Sequence, residues 1–144
     1  MRAKNGRFNL FILLLLLLVS LACSGNDGLS IDCYAFEDNP DQRAATTVTA
    51  GEEFTVTLCV KRNRGYRWSE EVQIDNPAIL QELSRDFEPG KSPMGGVAGK
   101  ESWTFRASQA GEAVISLEHT QISGRNTEGV WTYQLAVTVE ATAP

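Results

Sequence analysis

Trp131-Thr132-Tyr133-Gln134-Leu135-Ala136-Val137-Thr138-Val139-Glu140 is the stretch that decides the fold class. Trp131, Tyr133, Leu135, Val137 and Val139 alternate with Thr132, Gln134, Thr138 and Glu140. Successive side chains of a strand point to opposite faces, so this period of two describes a strand with one face in a core. The same pattern recurs upstream. Phe54, Val56, Leu58 and Val60 share one face of residues 53–61, and Thr55, Thr57 and Cys59 share the other. Trp103, Phe105 and Ala107 form another inward face, and Ala113, Ile115 and Leu117 the next, with Gln109-Ala110-Gly111 as the turn between them.

Weaker signals fill the gaps. Tyr66, Trp68 and Val72 suggest a strand that stops at Asp75-Asn76-Pro77, and residues 79–83 a short one after it. Glu88-Pro89-Gly90 and residues 92–99 form a long connection rich in Gly and Pro. Residues 24–42 are polar and rich in Asp, Asn and Gly, and read as a tether with one edge strand in residues 29–36. No helical period appears. About seven short strands with turns between them predict an all-β sandwich, with a small barrel as the alternative.

The N-terminus predicts export. Arg2, Lys4 and Arg7 precede an apolar run over residues 10–19, too short at about 1.5 Å per residue to cross a ~30 Å hydrocarbon core. Small residues at Ser20 and Ala22 suit signal-peptidase cleavage. Cys23, directly after them, resembles the lipidated cysteine of the bacterial lipoprotein lipobox, with unmodified cleavage as the alternative. Acyl chains at about 0.8 kcal/mol per buried CH₂ would hold the protein on a membrane. Ser24 in place of Asp implies, by resemblance to Gram-negative lipoproteins, the outer membrane. The expected organisation is a signal peptide over 1–22, a lipidated tether over 23–45 and one domain over 46–144, in the cell envelope.

Removal of residues 1–22 takes three of the 13 basic residues and none of the 18 acidic ones, leaving a formal charge of −8. Such a chain has no basic tail for nucleic acid. A monomer without cofactor is expected. Of three cysteines, lipidation of Cys23 leaves Cys33 and Cys59 as an even pair in a disulfide-permitting compartment, with two free thiols as the alternative. Closing that loop contributes about 3.5 kcal/mol in the chain-entropy model.

Catalytic patterns are poor. His119 is the single histidine and reads as an exposed residue at a strand end; no Cys-x-x-Cys pair provides a metal site. Glu52-Glu53 and Glu70-Glu71 would point to opposite faces of a strand. An enzyme is not expected. What does stand out is Lys61, Arg62, Arg64 and Arg67 within an acidic chain, beside Asn63, Gly65, Tyr66 and Trp68. This is either a solvated turn or a binding loop on a rigid scaffold.

With that loop the sequence becomes similar to the chagasin-type inhibitors of papain-like cysteine peptidases. Val48-Thr49-Ala50-Gly51-Glu52-Glu53-Phe54-Thr55-Val56-Thr57-Leu58 resembles the family's opening strands. Gly65-Tyr66-Arg67-Trp68 matches the end of its first loop motif, Asn-Pro-Thr-Thr-Gly-Tyr-x-Trp. Gly96-Val97-Ala98-Gly99 before Trp103-Thr104-Phe105-Arg106-Ala107 resembles its glycine loop and the strand after it, and Gly111-Glu112-Ala113 and Tyr133-Gln134-Leu135-Ala136-Val137 continue the pattern to about residue 141. The resemblance implies an immunoglobulin-like sandwich of about seven to eight strands. Its B–C, D–E and F–G loops would occlude a peptidase cleft. The residues so implied are Asn63, Arg64, Gly65, Tyr66 and Trp68, then Gly96, Val97, Ala98 and Gly99, then Gln121 and Arg125. Two motifs depart from the family: Lys61-Arg62-Asn63-Arg64 replaces Asn-Pro-Thr-Thr, and no Arg-Pro-Trp stands near Gln121-Ile122-Ser123. The alternative is a non-inhibitory envelope module whose basic first loop meets an anionic partner.

Overall fold

Two mixed sheets bury the alternating apolar faces against each other in the computed structural model, which describes residues 29–91, 98–122 and 129–144. The expected signal peptide, Cys23, Gly96, Val97 and Arg125 lie outside the described residues. Nine strands are present among the described residues: β1 (Ser30–Ile31), β2 (Asp41–Thr49), β3 (Glu53–Val60), β4 (Tyr66–Trp68), β5 (Gln73–Ile74), β6 (Leu80–Glu88), β7 (Gly99–Ala107), β8 (Gly111–Gln121) and β9 (Gly129–Glu140). One sheet has the order β1-β3-β7-β6; the other runs β2-β9-β8-β4, with β5 also on β8. Val56, Leu58, Trp103 and Phe105 from the first sheet meet Ile115, Leu117, Tyr133 and Leu135 from the second, each at most 1% exposed. The outward face of β3 is a polar ladder, with hydroxyl contacts Thr55–Thr104 and Thr57–Ser102.

The N-terminal segment differs from the expected tether. The edge strand expected within residues 29–36 is β1, which pairs in parallel with β3, but it covers only two residues, and residues 33–38 form the helix α1 (Cys33–Asp38). Asp32 caps it by accepting from the Ala35 N–H at 2.9 Å. β2 then pairs in parallel with β9 along its whole length. The segment so crosses from one sheet to the other. Phe36 of α1 is fully buried, against Trp68 and Trp131. Cys33 is disulfide-bonded to Cys59, with Cα atoms 5.2 Å apart. Cys59 lies on the outward face of β3, as expected, yet is buried. Further along, the strand expected from Tyr66 to Val72 ends at Trp68, and the short one at 79–83 extends to Glu88 with a bulge between Glu82 and Ser84.

One charge lies inside the sandwich. Glu101 sits in phase with Trp103 and Phe105 on β7, pointing inward and fully buried. Its Oε1 accepts from Arg62 Nη2 at 2.9 Å and from Arg85 Nε at 2.6 Å. Arg85 also donates to the carbonyls of Ser69 and Glu70, and Arg62 lies 3.8 Å over the Phe87 ring. One carboxylate therefore ties β7 and β6 to both chain segments flanking β4. Removing one partner from a buried ion pair leaves the others uncompensated. Glu101→Ala should lower stability by about 3–5 kcal/mol, read from the urea midpoint of the purified domain.

Candidate functional site

The strand ends bring three connections to one end of the sandwich. Val60, the last residue of β3, pairs with Gly99, the first of β7, and Lys100 pairs with Glu88, the last of β6. In the other sheet Tyr66 of β4 pairs with Gln121 at the end of β8. The 61–65, 89–98 and 122–128 connections thus start and finish side by side. The Ile122 N–H donates to the Gly65 carbonyl at 2.9 Å and joins the first to the third.

The first connection is a tight 3₁₀ turn, Arg62–Arg64. Gly65 ends it at φ 78°, the left-handed region open to glycine, and its N–H donates to the Arg62 carbonyl at 3.0 Å. Arg67 folds back and donates to the carbonyls of Arg62 and Tyr66. Lys61 pairs with Glu37 of α1 and lies 4.9 Å over the Trp131 ring. Three of the four basic side chains therefore hold the loop itself. Only Arg64 of the four is exposed, and it makes no ion pair among the described residues. That arrangement gives an anionic partner far less positive charge than the sequence implied. Asn63 is placed in the turn by its backbone.

Trp68 is a core residue: it is 2% exposed, and its indole N–H donates to the Cys59 carbonyl at 2.9 Å. Tyr66 and Gln121 are half-buried beneath the loop. In the second connection Ala98 is half-buried, and Gly99 belongs to β7, not to the loop. A Cβ on Gly99 would stand 2.6 Å from the Phe87 ring and 2.7 Å from the Glu88 carbonyl, so close strand packing alone demands glycine there.

His119, expected at the surface, is 1% exposed. It continues the inward phase of Ala113, Ile115 and Leu117, and that phase was the available signal. Its ring lies 4.5 Å from Trp131 and 5.2 Å from Tyr66, nearly parallel to both, and Phe36 stacks on Trp131 at 4.9 Å. Four rings thus run from α1 to the first loop. Burial, then the nearby Lys61 ammonium, push the His119 pKa down to about 4. Neither ring nitrogen has a hydrogen-bond partner. No three His, Cys, Asp or Glu side chains are placed to hold a metal among the described residues.

Because His119 is neutral when folded, the unfolded chain binds the extra proton between its ordinary pKa and about 4. Stability should therefore fall as pH drops from about 6.5 to 4, by about 3 kcal/mol from this group. A His119→Phe variant should lose that part of the slope in denaturation curves across this range.

The comparisons fit this geometry. The model of the chagasin family of peptidase inhibitors (I42) matches residues 47–137. Among solved structures, the cysteine protease inhibitor EhICP2 from Entamoeba histolytica superposes with a TM-score of 0.57 at 11% identity, covering 76% of this chain and 97% of that one. Amebosin (TM-score 0.49, 20% identity, 69% and 98% covered) and PbICP-C in complex with falcipain-2 (0.47, 16%, 69% and 89%) are more distant in fold. No curated protein matches by sequence. The two sheets are the immunoglobulin-like sandwich of that fold. The match spans most of the described domain and both sheets, and the chain belongs to the chagasin family of peptidase inhibitors, a family of inhibitors and not of enzymes.

Proposed function

We propose that this chain is an exported, lipid-anchored inhibitor of papain-like cysteine peptidases, acting at the cell envelope. The observation that carries the reading is the family match over residues 47–137 on a scaffold whose three connections share one end. Inhibition here is occlusion. A preformed surface enters the cleft and presents no bond for cleavage. The first loop suits that task because it is already ordered: Arg62 is held by Glu101, Gly65 by its left-handed turn and Ile122, and the loop carbonyls by Arg67. Little side-chain or loop entropy then remains to be lost on binding. Exposed Arg64 stands where the family carries small threonines, so this loop offers the partner charge and length instead. Export and anchoring rest on the charged start, the apolar run over residues 10–19 and Cys23.

Titration of the purified domain against papain and a cathepsin should show stoichiometric loss of peptidase activity. Absence of inhibition at micromolar protein overturns the reading. Mass spectrometry of the envelope-derived protein should find an acylated Cys23 as the first residue; an unmodified Cys23 would remove the anchor and keep the export.

A further inference from the structure

Between α1 and the first loop lies a pocket of about 260 Å³. Its buried lining is His119 and Trp131, and its rim carries Glu37, Lys61, Arg64 and Gln121. Buried polar atoms in proteins nearly always have partners. His119 is 1% exposed, and both of its ring nitrogens lack one. A neutral imidazole offers one N–H donor and one acceptor. The rim supplies a second donor group of a definite kind. Lys61 is committed to Glu37, whereas the Arg64 guanidinium makes no ion pair among the described residues, and guanidinium matches a carboxylate in shape and charge. The site is thus a recess with Tyr66 and Trp131 in its wall, an unspent cation at its mouth and an imidazole without a hydrogen-bond partner in its lining.

We infer that this pocket takes the carboxylate of an Asp or Glu side chain presented by the partner peptidase, held by Arg64 and by the His119 N–H. The source of the carboxylate rests on the inhibitor reading; the pocket chemistry does not. The proposal places a second point of recognition beside the occluding loops, on the α1 side of the same end. Asp and Glu are common on protein surfaces, and pairing at a cation on the mouth of a recess selects among partners by register as well as by charge.

The test uses the mature domain with N-acetylglutamate N-methylamide as the probe and long-range ¹H–¹⁵N spectra of the His119 ring as the readout. A saturable ring shift is expected with this carboxylate, none with the matching N-acetylglutamine amide, and none in an Arg64→Ala variant, whose exposed position keeps the fold intact. In the papain-like peptidase assay, Arg64→Glu should raise the inhibition constant at least tenfold. No carboxylate-dependent shift, or an equal shift with the amide, overturns the pocket even in a protein that inhibits fully. Carboxylate-dependent shifts in a protein that inhibits no papain-like peptidase overturn the peptidase as the source while the pocket chemistry stands.

Discussion

The buried Glu101 carboxylate is the constraint on which the loop end depends. A charge taken out of water is costly unless it is paired, and Glu101 is fully buried between two arginines. Its position on β7 makes the pair a clamp across the sandwich: Arg62 comes from the first loop, and Arg85 from β6 reaches the chain just after β4. Both guanidiniums depend on the one carboxylate, and its removal would leave the two of them unpaired. An apolar core residue at 101 would fill the same space but could not dictate where the 61–65 connection sits. The carboxylate thus contributes geometry more than stability.

The second element of order is the column of rings from Phe36 through Trp131 and His119 to Tyr66. Such stacking adds to the area each ring buries. It also makes α1 part of the site. The disulfide holds Cys33 to the end of β3, α1 holds Phe36 in place, and Glu37 holds Lys61. Residues 33–37 are therefore structural supports of the first loop, although the family resemblance begins at about residue 46.

Long strands were legible because burial on one face writes a period of two into the sequence. β3, β7, β8 and β9 all show it, and their inward residues are those that the alternation selects. Edge strands carry no such signal. β2 alternates exposed and half-buried residues with none fully buried, so its residues Asp41-Gln42-Arg43-Ala44-Ala45 read as polar chain although β9 pairs with all of them. α1 is only six residues long, too short for a helical period, and Asp32 as its cap was the single local cue. The two polar core residues were hidden by their chemistry. Glu101 and His119 keep the inward phase of their strands, yet a carboxylate and an imidazole look like surface until a partner or a stack explains their burial. The loops were located by spacing, but the internal use of Lys61, Arg62 and Arg67 depends on residues far away in sequence.

The direction of β1 has a further consequence. It runs parallel to β3, toward the loop end and away from the opposite pole of the sandwich. β9 departs toward that same pole. The eight residues of β3, at about 3.3 Å each, separate the poles by roughly 26 Å. A molecule fastened beyond the end of β9 therefore stands with the strand ends that bound its three connections facing away from the attachment, and a surface coated with it would present those ends outward.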